Sequence, residues 1–188
     1  MPARVGVLSL QGDFREHLRT LAALGADGIE VRKADQLDQI DALIIPGGES
    51  TTIGKLAVRF GLMEPLRSKI DAGLPVYGTC AGMILLSRDV TEGDQPLLGS
   101  LDVIVERNAF GRQNESFEEE LEIDGLDGPF RAVFIRAPWV AKMGERVEVL
   151  ASVDEHPVMV RQGRIMATSF HPELTGDRRL HQMLLDSV

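Results

Sequence analysis

The stretch Leu74-Pro75-Val76-Tyr77-Gly78-Thr79-Cys80-Ala81-Gly82-Met83-Ile84-Leu85-Leu86 decides the fold. It holds two short apolar runs, and the chain's single cysteine, Cys80, lies between them with a glycine two residues away on each side. Gly-x-Cys-x-Gly is the cysteine form of the nucleophile elbow, a sharp turn in which a strand passes directly into a helix. Glycines at both flanks remove the Cβ atoms that would collide in so tight a turn. The pattern therefore predicts a strand, a strained cysteine and a helix that begins at Ala81.

Two interpretations of Cys80 are open from the elbow alone. A cysteine at a helix N-terminus meets unpaired N–H groups and the positive end of the helix dipole, which favour a thiolate nucleophile. A lone cysteine is otherwise a buried structural side chain. The flanking glycines do not decide between the two, so the choice depends on whether the chain offers a base elsewhere.

Composition and charge narrow the classes of protein. Hydrophobic residues make up 44% of the chain and charged residues 26%, which suits a single domain with a sizeable core over residues 1–188. The net charge of -9 argues against nucleic acid or an anionic membrane as a partner. One cysteine cannot form an internal disulfide, and no apolar run approaches transmembrane length. We therefore expect a cytoplasmic protein.

The first half of the chain alternates strands and helices. Short apolar runs predict strands over residues 4–10, 29–31, 42–45 and 75–79. Apolar residues at helical spacing, followed by glycine stops, predict helices over residues 14–24, 51–60, 65–72 and 81–87. Strands that alternate with helices form parallel sheets covered on both faces. The sequence therefore predicts an α/β fold, a three-layer sandwich with a mostly parallel central sheet.

The second half of the chain is richer in strands. Apolar and alternating runs with short links predict strands over residues 103–107, 117–123, 132–135, 147–153, 158–161 and 165–170. Gln162-Gly163 has the composition of a hairpin turn between the last two. A final helix is expected over residues 180–185, and no repeat or linker divides the chain.

The segment Ser169-Phe170-His171-Pro172-Glu173 follows the last predicted strand. Alternate side chains of extended backbone share a face, so His171 and Glu173 can point the same way. A carboxylate beside an imidazole fixes its tautomer and stabilises the imidazolium, so Cys80, His171 and Glu173 supply a nucleophile, a base and an orienting acid. The alternative is a surface histidine in a proline-containing turn. The other histidines lack an acid at this spacing after a strand: His17, His156 and His181.

The segment Pro46-Gly47-Gly48-Glu49-Ser50-Thr51-Thr52 closes the third predicted strand. Ligands of open α/β sheets bind at the carboxyl ends of strands, which this loop would share with the elbow. A Gly-Gly pair lets a backbone N–H approach a ligand closely. The segment also suits a turn and a helix cap provided by Ser50 or Thr51, and both interpretations can hold.

With these motifs in place, the sequence resembles the class I (triad-type) glutamine amidotransferases, and within them the glutaminase subunits of pyridoxal 5'-phosphate synthase. The elbow and the Ser169–Glu173 segment resemble the wider class. Further stretches resemble the subfamily: Leu10-Gln11-Gly12, Gly47-Gly48-Glu49-Ser50-Thr51-Thr52, Glu106-Arg107-Asn108-Ala109-Phe110-Gly111-Arg112-Gln113 and Phe134-Ile135-Arg136-Ala137-Pro138. Because the resemblance runs nearly end to end, it implies the flavodoxin-like fold of that class.

The resemblance also implies an activity, the hydrolysis of L-glutamine to glutamate and ammonia, with neither a cofactor nor a metal. It implies a catalytic triad of Cys80, His171 and Glu173. It implies that the N–H groups of Gly48 and Ala81 hold the developing oxyanion. The substrate-binding residues that it implies are Gly47, Gly48, Glu49, Arg107, Ile135 and Arg136. Arg107 and Arg136 could equally be structural ion-pair partners.

A partner follows from the same resemblance. The chain has no room for a second catalytic domain, and ammonia released into water is protonated and lost as a nucleophile. The family supplies a pyridoxal phosphate–forming lyase in a large mixed complex.

Two other classes of protein fit these motifs less well. A single-cysteine redox protein would lack the His-x-Glu segment, and a silent regulatory subunit would have lost Cys80, His171 or Glu173. A glutaminase that serves a different synthase remains the alternative among enzymes, and only the subfamily motifs argue against it.

Overall fold

The computed structural model describes residues 1–111 and 115–188. The strands are β1 (Arg4–Leu8), β2 (Asp27–Val31), β3 (Ala42–Ile45), β4 (Val76–Thr79), β5 (Ser87–Val90), β6 (Leu101–Glu106), β7 (Ser116–Leu121), β8 (Phe130–Ile135), β9 (Trp139–Met143), β10 (Glu148–Val153), β11 (His156–Gln162) and β12 (Ile165–Thr168). The α-helices are α1 (Phe14–Ala23), α2 (Ser50–Arg59), α3 (Met63–Asp71), α4 (Ala81–Leu86) and α5 (Arg179–Leu185). Two short 3₁₀ helices span Ala34–Gln39 and Pro172–Leu174.

Within the described residues, seven strands form the central sheet, in the order β10-β11-β12-β4-β3-β1-β2. The five neighbouring strands β2, β1, β3, β4 and β12 run parallel to one another. At the β12 side, β11 and then β10 add an antiparallel edge. The parallel part therefore has the 2-1-3-4-5 order of flavodoxin-like folds. The predicted mostly parallel α/β sheet is confirmed.

Two apolar layers cover the two faces of this sheet. Side chains of a strand alternate between faces, so Leu43 and Ile45 of β3 join one buried cluster while Ala42 and Ile44 join the other. The first cluster contains α2, α3 and α4, and the second contains α1, α5 and strands β7 and β8. Every residue of α4 is buried, because this helix lies between the sheet and the outer helices. The three layers of the predicted sandwich are therefore present.

Two smaller sheets complete the strand-rich second half. They have the orders β5-β6-β9 and β7-β8. The sequence patterns predicted β6, β7 and β8 but missed β5 and β9. Three predicted strands extend two residues too far, because β1 ends at Leu8, β7 at Leu121 and β12 at Thr168. The chain therefore leaves the sheet two residues before His171.

The helices were also compared with the length and composition of membrane-spanning segments. Across residues 1–111 and 115–188, no helix combines the length and the apolar composition needed to cross a membrane.

Candidate active site

The predicted site residues gather at the carboxyl edge of the central sheet. Gln11 follows β1, the Gly47–Glu49 loop follows β3, Cys80 follows β4 and His171 follows β12. Parallel strands end on the same side of a sheet, so four separate segments of the chain meet there. In a sheet of this order, β1 and β3 also flank the point where ligands of open α/β folds bind.

The elbow has the strained geometry that the glycine spacing predicts. Cys80 has φ 50° and ψ -103°, outside the regions that non-glycine residues favour, and it caps α4. A Cβ atom on Gly82 would lie 2.0 Å from the carbonyl oxygen of Ile45, so no other residue fits there without backbone movement. The Cys80 N–H donates to the Thr168 carbonyl at 2.8 Å, which ties the turn to β12. Cys80 is only 7% exposed, yet it lines a pocket, so burial does not make it a structural cysteine.

His171 and Glu173 form the predicted pair. The Nδ1 atom of His171 lies 2.6 Å from Oε1 of Glu173, and both side chains are buried. The backbone differs from the extended form that predicted this contact, because Pro172–Leu174 is a 3₁₀ helix. The turn still brings the two side chains together. A carboxylate so close to Nδ1 places the proton on that nitrogen, and this leaves Nε2 for work as a base.

The surroundings of His171 favour its charged form. Burial lowers its pKa, but hydrogen bonds with Asp13, Cys80 and Glu173 more than offset burial and raise the pKa to about 12. Burial raises the pKa of Glu173, against the opposing effect of its bond to His171. An imidazolium beside a thiol is the arrangement that generates a cysteine nucleophile.

Asp13 is a site residue that sequence reasoning missed. Its Oδ2 atom lies 3.4 Å from Nδ1 of His171, on the pocket side of the ring. Asp13 stands between β1 and α1, far from His171 in the chain, and no local spacing signals the contact. His171 therefore has two carboxylates near one nitrogen, a short contact to Glu173 and a longer one to Asp13.

Asp13, His171 and Glu173 also meet a geometric condition for metal binding. Each offers one ligand atom, and these atoms lie within 4.8 Å of one another. The nitrogen concerned is Nδ1 of His171, which carries the proton donated to Glu173 and so has no free lone pair for a metal. The chemistry of the set therefore fits a hydrogen-bonded acid–base group better than a metal centre.

The Gly-Gly loop packs directly on the catalytic histidine candidate. A Cβ atom on Gly47 would lie 2.5 Å from Cε1 of His171, so glycine is required for this close approach. The side chain of Gln11 holds the loop from the other side, since its Oε1 accepts from the Glu49 N–H at 2.8 Å. Gly48 and Ala81, the predicted oxyanion residues, both line the pocket that contains Cys80.

Glu49 has a structural task that the sequence analysis assigned elsewhere. From the sequence, Ser50 or Thr51 was considered as the cap of α2. The cap is Glu49, whose carboxylate accepts from the N–H groups of Thr51 at 3.2 Å and Thr52 at 2.7 Å. These bonds outweigh partial burial and lower the pKa of Glu49. An anion at a helix N-terminus also meets the favourable end of the dipole.

Arg107, Ile135 and Arg136, for which the resemblance implies substrate binding, line the pocket. The guanidinium of Arg107 lies 3.5 Å from Oε1 of Glu49, so the alternative of an ion pair is realised. The Cys80 thiol lies 3.9 Å from the carbonyl oxygen of Ile135. Arg136 has a positive φ of 45°, a strained conformation of the kind that concentrates at functional sites. Arg112 and Gln113, the end of the quoted subfamily motif, lie outside the described residues.

The pocket as a whole has a volume of about 520 Å³, and both polar and apolar residues line it. It is open to solvent on one side. Its remaining lining residues are Ser50, Ile84, Asn108 and Leu174. None of these four residues was assigned to substrate binding from the sequence.

The parallel sheet with a cysteine at the elbow after β4 defines a class I glutamine amidotransferase fold. One solved structure, titled as a crystal structure of glutamine amidotransferase, superposes with a TM-score of 0.94 at 56% identity and covers 97% of each chain.

The chain belongs to the SNO glutamine amidotransferase family, which it matches over residues 7–188. The protein named pyridoxal 5'-phosphate synthase subunit PdxT of Frankia alni is 62% identical over 188 residues, covering 98% of this chain and 94% of the relative. The protein of the same name from Parafrankia sp. is also 62% identical over 188 residues, covering 98% and 93%.

Proposed function

We propose that Cys80, His171 and Glu173 are the residues with which this protein hydrolyses L-glutamine to glutamate and ammonia. The protein is the glutaminase subunit of a pyridoxal 5'-phosphate synthase, as its relatives over nearly the whole chain are named. The observation that carries the residue assignment is the strained Cys80 elbow beside His171, whose Nδ1 is held 2.6 Å from Glu173.

The chemistry follows from this arrangement. The Cys80 thiolate attacks the carboxamide carbon, and the N–H groups of Gly48 and Ala81 hold the oxyanion that forms. Protonated His171 gives its proton to the leaving nitrogen, so ammonia departs and a glutamyl thioester remains. Neutral His171 then takes a proton from water, which adds to the thioester carbon. Collapse of the second tetrahedral intermediate expels the Cys80 thiolate and releases glutamate.

The polar end of the pocket suits the α-amino acid group of glutamine. Glu49 and Arg107 lie beside each other there, so the substrate's ammonium meets a carboxylate while its carboxylate meets a guanidinium. Gly47, Ile135 and Arg136 complete the proposed binding set. The Ile135 carbonyl, close to Cys80, is placed to accept from the amide of the substrate.

The subunit name of the relatives implies a partner synthase subunit that receives the ammonia. We propose that this partner is a pyridoxal phosphate–forming lyase and that the two form a large hetero-oligomer. We further propose that residues 1–188 act as one domain, because the site draws on loops after β1, β3, β4 and β12. A cytoplasmic location belongs to the same proposal, supported by a lone cysteine that needs no oxidising compartment.

The test replaces the nucleophile. With the synthase partner present, Cys80→Ala should abolish glutamine hydrolysis and glutamine-dependent formation of pyridoxal phosphate. Ammonium salt should restore pyridoxal phosphate formation by the same mixture, because the variant still folds and the partner still accepts ammonia. The amount of glutamate released measures glutamine hydrolysis.

More than a trace of glutamate release by the variant would remove Cys80 from the mechanism. A failure of ammonium to restore product would instead point to a lost complex. A wild-type chain that hydrolyses glutamine but yields no pyridoxal phosphate with this partner would indicate a different synthase.

A further inference from the structure

A buried polar group lies on the side of Glu173 that faces away from His171. It consists of His17 on α1, Thr79 at the end of β4 and His181 on α5, and is called here the His17 cluster. Both histidines are 0% exposed. Nε2 of His17 lies 3.2 Å from Oγ1 of Thr79 and 3.6 Å from Oε2 of Glu173. Nδ1 of His17 lies 2.8 Å from Nε2 of His181.

Two buried atoms of this region stand out by their hydrogen bonding. Among residues 1–111 and 115–188, Oε2 of Glu173 and Nδ1 of His181 have no hydrogen-bond partner. A buried carboxylate oxygen without a hydrogen-bond donor is unfavourable. A buried ring nitrogen that carries an unpaired proton is also less favourable than one that carries only a lone pair. These two atoms mark the ends of the row Glu173, His17, His181.

The ends of the row decide which nitrogen of His17 carries the proton. If Nδ1 carried it, His181 would be the acceptor at Nε2 and would bury an unpaired N–H at Nδ1. The lone pair of His17 Nε2 would then face a carboxylate. If Nε2 of His17 carries the proton, Nε2–H of His181 donates to Nδ1 of His17, and Nδ1 of His181 keeps only a lone pair. The Nε2–H of His17 then faces Thr79 and Glu173. The second arrangement is strongly favoured.

We propose that His17 is a positioning residue for the triad, held by His181 in the tautomer whose Nε2–H faces the second carboxylate oxygen of Glu173. This inference rests on the proposed function. The positive end of this N–H lies beside the buried carboxylate, 3.6 Å from Oε2, and stabilises its negative charge, so Glu173 stays ionised with Oε1 aligned to His171. The position of α1 against the sheet thereby becomes part of the acid–base machinery.

The charge state of Glu173 is set by the groups that face it. These are His171 on its own turn, Asp13 before α1, His17 on α1 and Tyr77 on β4. Burial already raises the pKa of Glu173, and the bond to His171 opposes that effect. Burial, and the charges of His181 and His171, lower the pKa of His17 well below its usual value, so it acts as a neutral donor. Removing that donor should raise the pKa of Glu173 further.

The experiment compares three variants. His17→Leu removes the donor, His17→Gln keeps an N–H near the position of Nε2, and Leu21→Ala loosens the same helix at another fully buried position. Two rates are followed from acid to neutral pH. One is alkylation of the protein by iodoacetamide, which reports Cys80 alone because the chain has one cysteine. The other is glutamine hydrolysis in the complex with the synthase partner.

For His17→Leu, the acid limb of both profiles should move upward by about one pH unit, and kcat at neutral pH should fall by about tenfold with KM nearly unchanged. His17→Gln should restore most of the loss. Leu21→Ala should lower the free energy of unfolding without moving either acid limb.

Superimposable acid limbs for His17→Leu and the wild type would overturn the proposal, as would an equal shift in Leu21→Ala. If His17→Leu does not fold, His181→Leu takes its place, since it frees the tautomer of His17, and an unmoved acid limb there also overturns it. The alkylation rates do not depend on glutamine turnover, so a failure here is distinct from a failure of Cys80→Ala to abolish hydrolysis.

Discussion

Glu173 shows how one side chain can be tied to several parts of the molecule. Its first oxygen lies 2.6 Å from His171, while its second lies 3.6 Å from His17 on a different element. At 7% exposure it has little solvent to support its charge. Its ionisation therefore depends on neighbouring donors, and its removal should affect His171 directly.

Glu173→Gln should lower kcat for glutamine hydrolysis by up to ~10⁴-fold, the loss seen when a triad acid becomes an amide. The amide cannot stabilise the imidazolium and no longer fixes the tautomer with the proton on Nδ1. Asp13→Asn is the matched control, because its carboxylate is more exposed and lies 3.4 Å from the same nitrogen. Asp13→Asn should have the smaller effect, measured as steady-state turnover with the partner present. A larger loss for Asp13→Asn would exchange the roles of the two acids.

Glu173 and Asp13 both contact His171, but the sequence predicted only the contact of Glu173. Glu173 stands two positions from His171, so a local pattern indicated the pair. Asp13 and His17 reach the site only because α1 packs against β1, β2 and the Pro172–Leu174 turn, and such contacts leave no trace in local spacing. Glu49 was predicted at the site, but its role as the cap of α2 was given to its neighbours, since Ser and Thr are the more usual caps.

The elbow and α4 depend on one close backbone approach. The carbonyl of Ile45 on β3 occupies the space where a side chain at position 82 would lie. Because the contact is between backbone groups, no rotamer change can relieve it. The glycine therefore serves the packing of α4 on β3 as much as the local turn.

Gly82→Ala should reduce the free energy of unfolding by about 1–3 kcal/mol or more, the range for overpacking a core, and should displace Cys80 enough to lower activity. Gly176→Ala is the control, because its added Cβ would meet nothing within 4 Å. Chemical denaturation of both variants gives the comparison. Equal stabilities of Gly82→Ala and the wild type would show that β3 and α4 separate easily.

Strands and helices were predicted best where one pattern dominates. The buried parallel strands β3 and β4 are short continuous apolar runs, and their predicted positions differ little from those observed. β5 and β9 were missed because Ser87–Val90 and Trp139–Met143 mix exposed and buried positions without clear alternation. They exist as strands because both pair with β6, a tertiary cause that the local sequence does not carry.

For the chain as a whole, the alternation of strands and helices predicted the parallel sheet but not its strand order. β12 lies beside β4 although about ninety residues separate them, and this pairing joins the histidine segment to the elbow. The same closure brings α5 against α1 and creates the contact between His17 and His181. Two histidines buried in this way should make the fold sensitive to acid.

The sign of that sensitivity follows from proton binding. Burial lowers the pKa of His181 from 6.5 to about 4, and burial together with the charges of His181 and His171 lowers that of His17. Between about pH 4 and 6.5 the unfolded chain therefore binds more protons than the folded one, so stability falls as the pH falls. His171 acts in the other direction: its raised pKa stabilises the fold below pH 6.5 and loses that effect as the pH rises toward about 12.

His181→Gln should therefore reduce the acid dependence of stability. Between pH 7 and pH 5 the wild type should lose about 2 kcal/mol of unfolding free energy through His181 alone, at ~1.4 kcal/mol per pH unit below 6.5. The loss of unfolding free energy in the variant, measured by urea titration at the two pH values, should be smaller than in the wild type by that same amount. Leu184→Ala on the same helix is the control, since it removes a buried apolar side chain and no titratable group, and so should lower stability without changing its pH dependence. Identical pH dependence in His181→Gln and the wild type would mean that the pKa of His181 is the same in the folded and the unfolded chain, contrary to the lowering that its burial should cause.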